Sequence, residues 1–490
     1  MKKLFSIILF LVIILSGCSE SFLDREPEDT LAPGIFFKTP ADIKTGLIAV
    51  YQPFQALYNH GGLSAPLEQM SDDGSNPFSV NYYHSFFKDN THSLSTYWNG
   101  FYKIIVNANN IIEIIDKYTP KTDAEAVVVK AYKGEASFLR AFAYFNLVRL
   151  YGDVPMVVKP FVDPGTAFGM LRTPVNDIYT KVIIPDLEYA FANCYMKGDA
   201  AISSRPACAT KGAALTILGK VYLTMNDHAK AAATLKKLIV DKEAGDKHAL
   251  LTDYSKIWLS TNKFNSESIF EINYNVAAGV PSYFYRNMSS VGFNLHKVTT
   301  SSCVFAGSKN LMDEFVAYQE WTRYKVSVDS GWHATNNLIT PIPLKLMPPL
   351  NGIAVYDKIG SDYNYMITRY ADALLMYAEA LMVLGQKDEA AGYVNQVRAR
   401  VSMVSITAAD LNIDRILHER RMELAFEGHR YFDLVRTGKA IDYISAELMS
   451  NCDYEKRTFR TEPIPEYQLI LPIPVGEIEK DQTLTQNPGY

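Results

Sequence analysis

The chain has 490 residues, 48% hydrophobic and 21% charged, a balance that fits a folded globular protein and excludes a disordered one. Its 53 acidic residues outnumber 48 basic ones for a net charge of −5, and no basic cluster stands out. That excludes the concentrated Lys and Arg surface a nucleic-acid partner requires, and the length suits one large domain or two or three ordinary ones.

The first residues, Met1-Lys2-Lys3, are basic and precede an apolar run from Leu4 to Leu15. A basic start, an apolar segment of about 7–15 residues and small residues at its end predict a secretory signal over 1–17. A membrane-spanning helix needs about 20 apolar residues, so the run is too short to be one. Leu15-Ser16-Gly17-Cys18 resembles the bacterial lipobox, in which cleavage precedes a cysteine whose sulfur receives a diacylglycerol. Several acyl chains on Cys18 would make a durable anchor, where one is marginal. Loss of Lys2 and Lys3 with the signal takes the net charge from −5 to −7. The polar, acid-rich residues of 18–30 read as a leash.

Beyond it, most of the chain reads as helix. Ser95 to Tyr118 repeats apolar residues at intervals of three and four, as does Ala126 to Tyr151, which Gly152-Asp153-Val154-Pro155 should stop. Further helices are expected near Val175–Ala192, Lys211–Met225, His228–Asp241, Tyr370–Leu384, Lys387–Val401 and Ala408–Phe426. Leu215, Leu218, Gly219, Tyr222, Ala231, Leu235 and Leu238 recur at identical spacing as Leu374, Tyr377, Ala378, Leu381, Ala390, Val394 and Val397. This is the large–large-small–large pattern of tetratricopeptide helix pairs, which bury their apolar faces only by stacking. The expected fold is therefore all-α, a single domain over 31–490, with such units near 97–151, 211–241 and 370–401.

Two stretches, 58–94 and 277–364, lack this periodicity and are rich in aromatics. They are expected to be ordered loops on the scaffold, since long structureless loops in compact domains are usually functional. Tyr (31) exceeds Phe (25), which suits faces that stack on a ring and also hydrogen-bond. Tyr82, Tyr83, Tyr283, Tyr285 and Trp332 are the candidate platforms for a sugar. Asp72, Asp73, Asn76 and Arg286 are the candidate polar contacts, and Arg369 stands just after the second stretch. Trp98 and Tyr102 fall on a helical core face and read as structural. Glu419, Arg420, Arg421, Glu423 and Glu427, spaced three and four apart, read as ion pairs, not catalytic groups.

No HExxH, GxSxG or phosphate-loop motif occurs, no CxxC marks a zinc site, and no cofactor or metal is expected. Adjacent Asp72 and Asp73 make a poor glycosidase dyad, because such carboxylates must flank one bond from two sides. Among Cys194, Cys208, Cys303 and Cys452, the first two would close the shortest disulfide loop, in a domain large enough not to need one.

Several motifs together resemble the SusD/RagB family: the lipobox and leash, Trp98-Asn99-Gly100-Phe101-Tyr102, Asn107-Ala108-Asn109-Asn110, and Gly134-Glu135-Ala136-Ser137-Phe138-Leu139-Arg140-Ala141. So do Leu150-Tyr151-Gly152-Asp153-Val154-Pro155, Arg369-Tyr370-Ala371-Asp372, Glu419 to Arg430, Leu471-Pro472-Ile473-Pro474 and Gln486-Asn487-Pro488-Gly489-Tyr490. The likeness runs the length of the chain and thins over 277–364. It implies an outer-membrane lipoprotein facing the cell exterior, without enzymatic activity. Such a protein captures oligosaccharides, or in some members peptides, and passes them to a SusC-like TonB-dependent transporter. A structural tetratricopeptide adaptor is the remaining alternative, though it would leave the leash and the aromatic stretches unexplained.

Overall fold

A computed structural model describes residues 37–59, 62–75, 92–161, 163, 165, 168–284, 306–329, 332–333, 338–339, 342–346, 361–449 and 462–490. The signal, Cys18 and the leash lie outside the described residues.

Helix α1 (Pro40–Tyr58) opens on a capping box: Thr39 accepts from the Asp42 amide at 3.3 Å, and Asp42 accepts from the Thr39 amide at 2.8 Å. Its Ile43, Leu47, Val50, Phe54 and Leu57 are buried at helical spacing. The sequence reading assigns no helix here, although both the cap and the period are local signals. Helix α2 (Ser64–Gln69) and strand β1 (Gly74–Ser75) follow. Helices α3 (His92–Lys117) and α4 (Asp123–Tyr151) form the first long pair, and Gly152, at φ 73°, ends α4 in a left-handed conformation that suits a residue without Cβ. Strands β2 (Val154–Pro155) and β3 (Arg172–Thr173) pair antiparallel. Helix α5 spans 175–193 as Val175–Ile178, a π turn over Tyr179–Ile183, and Ile184–Asn193.

Helices α6 (Lys211–Thr224) and α7 (His228–Ile239) make the next hairpin. Strand β4 (Ser268–Ile272) is fully buried. After β5 (Ala306–Gly307) come α8 (Lys309–Ala317) and α9 (Trp321–Ser327), then the short strands β6 (Val328–Asp329), β7 (Trp332–His333), β8 (Leu338–Ile339) and β9 (Ile342–Pro343). Strand β10 (Tyr365–Arg369) pairs antiparallel with β4 and runs straight into α10 (Tyr370–Val383). Helices α11 (Lys387–Ala399), α12 (Ile413–Leu424), α13 (Arg430–Arg436), α14 (Ala440–Met449) and α15 (Val475–Lys480) complete the chain.

The helices stack in series: α1 on α3, α3 on α4, α4 on α5, α5 on α6, α6 on α7, α7 on α10, and α10 on α11. Thirteen of the fourteen positions of the repeated pattern belong to one buried core, and the fourteenth, Gly219, is buried on α6 beside them. Gly219 shows why the pattern needs a small residue there, since a Cβ would stand 2.6 Å from Leu235 Cγ of the paired helix. The mainly helical expectation therefore holds. The two stretches expected to be irregular are corrected in part, because the first holds α2 and the second holds α8 and α9. Ser308 caps α8 by accepting from the Leu311 amide at 3.1 Å, a local signal that the aromatic content obscured. Cys194 and Cys208 are buried free thiols, and burial pushes both above the usual thiol range.

Candidate functional site

The two aromatic stretches are joined at both ends. Strand β1 pairs antiparallel with β5, Gly74 opposite Gly307 and Ser75 opposite Ala306. Ser308 extends the junction: its amide donates to the Asp73 carbonyl at 2.8 Å and its hydroxyl to the Asp72 carbonyl at 2.7 Å. At the other end Asn59, just past α1, donates to the Pro281 carbonyl at 3.0 Å and accepts from the Tyr283 amide at 2.9 Å. Gln55 adds a bond to the Asn273 carbonyl at 2.7 Å. Segments nearly 220 residues apart in sequence thus leave the scaffold from one platform.

Beneath the platform lies a charged layer, and it holds three residues that sequence reasoning had placed on the ligand face. Asp72 is 2% exposed and Asp73 is fully buried. Arg430 grips Asp72 with two parallel bonds of 2.7 and 2.8 Å, and Arg421 donates to Asp73 at 2.6 Å and to the Asp72 carbonyl at 2.9 Å. Arg421 also reaches Glu314 and Asn310 of α8, which ties that helix to the layer. Burial alone would raise the Asp72 carboxyl, but the Arg421 and Arg430 charges outweigh it and hold it down. Asp73 goes the other way: burial raises it and the neighbouring Asp72 charge adds to the rise, against Arg421. These carboxylates anchor the platform and are not presented to a ligand.

Arg369 needs the same correction. It is fully buried and donates to Glu427 at 2.7 Å and to Glu267 and Glu423 at 2.6 Å each. Around it, among the described residues, Arg323, Lys345, Arg369, Arg398 and Arg400 interlock with Glu267, Glu320, Glu419, Glu423 and Glu427. Five cations balance five carboxylates. For Glu423, burial pushes the carboxyl up, yet Arg400, Arg369 and Arg323 overcome it and hold it well below the usual range. The expected ion pairs of α12 are therefore present, and Arg420 adds bonds to Asp372 at 2.8 Å and Asp433 at 2.7 Å. Arg323 lies on α9, Lys345 just after β9 and Arg369 at the end of β10. The network thus fastens the second aromatic stretch to the helical scaffold.

Two exposed aromatic rings of the second stretch were missed as site candidates. Tyr318 and Trp321, at the turn between α8 and α9, are each 47% exposed. Tyr318 rests on the His418 ring, 4.1 Å between centroids, and Trp321 meets Tyr324 edge-on at 6.2 Å. The nine residues of α8 separate them from β5, a rise of about 14 Å. Their exposure sets them apart from the other aromatics of that stretch whose burial is described, and exposure is not legible in sequence. Tyr283 is half-buried at the platform, and Trp332 lies on β7 opposite Ile339. Asn76, Tyr82, Tyr83, Tyr285 and Arg286 lie outside the described residues. Trp98 is buried against Tyr102 and Tyr151, in the structural role expected of it. Among the described residues no group of three or more His, Cys, Asp or Glu side chains is placed to hold a metal ion. No helix among them is long and apolar enough to cross a membrane.

Known proteins resemble the chain over its length. Residues 255–490 match the profile described as the SusD family, and residues 21–223 match one described as starch-binding associating with outer membrane. SusD-like protein P2 of Formosa agariphila is 28% identical over 100% of both chains, and SusD-like protein P38 of the same organism is 29% identical over 90% of this chain and 93% of its own. A solved laminarin-binding SusD-like protein superposes with a TM-score of 0.76 at 25% identity, covering 93% of this chain and 100% of that one. With two family profiles spanning most of its length and relatives aligned end to end, the chain belongs to the SusD/RagB family of outer-membrane-associated proteins.

Proposed function

We propose that this protein binds oligosaccharides or polysaccharide at the cell surface and delivers them to a SusC-like TonB-dependent transporter. Cys18 supplies its lipid anchor in the outer membrane. The observation that carries the ligand reading is the platform where two aromatic-rich stretches are joined over a buried charged layer, with half-exposed Tyr318 and Trp321 past the far end of α8, the helix that follows β5. Flat rings held open to solvent suit the apolar faces of sugars, and the surrounding polar side chains suit their hydroxyls. Tyr283 and Trp332 stay in the proposed site, together with Asn76, Tyr82, Tyr83, Tyr285 and Arg286. The laminarin-binding relative makes β-glucan the first ligand to try.

Calorimetric titration of the whole chain with laminarin, starch and a peptide panel tests the reading. Binding to a glucan is expected, weakened up to about tenfold by Trp321→Ala with melting unchanged, the effect of losing one aromatic contact. Binding to peptides alone would replace the glycan reading with the peptide one. For delivery, the protein should co-purify from outer membranes with a large β-barrel receptor, and a Cys18→Ala chain should be lost from the membrane fraction.

A further inference from the structure

A narrow cavity of about 30 Å³ lies where the end of α1 meets α4, α6, β10 and α13. Arg149 of α4 lines it. Its guanidinium stacks on Phe145 and Phe432, 3.8 and 3.7 Å from the ring centroids. Nε donates to the Phe145 carbonyl at 3.1 Å and Nη2 to the Asn146 side chain at 2.8 Å, while Nη1 has no partner among the described residues. The Tyr58 and Tyr365 hydroxyls, also in the lining, have none there either, on side chains only 3% and 2% exposed. His429 Nε2 is unpartnered too, but packed atoms seal it, and they do not seal these three. With Tyr58 and Tyr365 shut off from the outer surface, the cavity is what their hydroxyls face.

The surrounding carboxylates are taken. Glu427 lines the cavity but belongs to the balanced five-by-five network, where Arg369 and Lys345 hold it. Asp372, Asp433 and Glu379 are matched by Lys220, Arg420 and Arg436. Glu68, which accepts from the Gly428 amide, is pushed well above the usual carboxylate range by burial and by the Asp73 charge, and this favours its neutral form. Among the described residues around the cavity, Arg149 is therefore the cation left without a carboxylate, and burial pushes its pKa down to about 10. The geometry points to a monovalent anion of chloride size bound in this cavity, accepting from Arg149 Nη1 and from the Tyr58 and Tyr365 hydroxyls. One water needs about 10–15 Å³ and would fit, but it would leave the buried charge unmatched. Phosphate, sulfate and sugars are too large for the space. The ion would tie α1 and β10 to α4 directly below the platform, and its binding is independent of the glycan reading.

Melting of the full chain in sodium chloride against sodium gluconate, at equal ionic strength, tests the site. Above its Kd, chloride should raise the midpoint by about 1–2 °C for each tenfold increase, with gluconate too large to replace it. Crystals grown in sodium bromide should show an anomalous peak in contact with Arg149 Nη1 and both hydroxyls. The Y58F/Y365F variant keeps both rings and removes the two donors. It should melt like the unaltered chain in gluconate and bind chloride at least about tenfold more weakly. Equal midpoints in the two salts would overturn the proposal, as would a bromide peak absent from the cavity or chloride stabilisation indifferent to Y58F/Y365F. Chloride dependence that arises only in Glu68→Gln would assign the counter-charge of Arg149 to the Glu68 carboxylate, and the proposal would fail.

Discussion

Arg369→Met separates a structural role from a ligand-binding one. In the unaltered protein this guanidinium is fully buried and donates to Glu267, Glu423 and Glu427 and to the Glu423 carbonyl at 2.7 Å. Methionine approximates its stem and removes its charge, leaving four cations among five buried carboxylates. Removing one partner of a buried pair costs about 3–5 kcal/mol, chiefly because the charge left behind has lost its compensation. Arg400 and Lys345 remain beside Glu423 and Glu427, so about 3 kcal/mol is expected at neutral pH. The uncompensated site should raise a carboxyl pKa in the folded variant above its unfolded value. That term opposes stability as pH rises through the window, so the variant's deficit should be smaller near pH 5 than near pH 8. Neutralising a carboxylate as well, in Arg369→Met with Glu427→Gln, should recover part of the loss. Urea unfolding of the single and double variants across pH measures all three effects. A single variant within about 0.5 kcal/mol of the unaltered protein, with ligand affinity reduced instead, would refute the structural account and return Arg369 to the ligand face.

Two further outcomes follow from packing and burial. Gly219→Ala should destabilise by about 1–2 kcal/mol although alanine favours helix, because its Cβ meets Leu235; in a Leu235→Ala background the same change should stabilise, and the same sign in both would break the close-approach argument. His248 is 3% exposed, its ring nitrogens have no hydrogen-bond partner among the described residues, and burial, with Lys197 and Lys242 nearby, lowers its pKa to about 3. The unfolded chain then takes up the proton first, so stability is whole above about pH 6.5 and falls toward pH 3 by up to about 1.4 kcal/mol per unit. His248→Phe should flatten that part of the pH–stability curve by one proton, and an unchanged slope would show that the imidazole is not the group responsible.

Much of the scaffold was legible in the sequence because helical periodicity, caps and stops are local. The paired pattern around Gly219 and Ala378, the stop at Gly152 and the ion-pair spacing of α12 all lie within a few turns of chain, and the structure places them as read. Helices α1 and α8 were also within reach, since Thr39 and Ser308 cap them; aromatic content drew the reading toward loop in the second case. The candidate platform was legible only as two suspicious stretches. That they meet depends on β1 pairing with β5 and on Asn59 bridging to Pro281 and Tyr283, contacts between segments more than two hundred residues apart.

The sequence by itself determined the helical scaffold and the repeat, and it carries the expectation of an exported, anchored N-terminus, because each is read from residues close together along the chain. Tertiary structure alone decided which polar residues face solvent. Asp72 and Asp73 look like ligand contacts beside Gly74 until Arg421 and Arg430, 348 and 358 residues later, fold against them. A carboxylate's role is set by the charge that reaches it across the fold, and Tyr318 and Trp321 emerge as open rings only where packing leaves them uncovered.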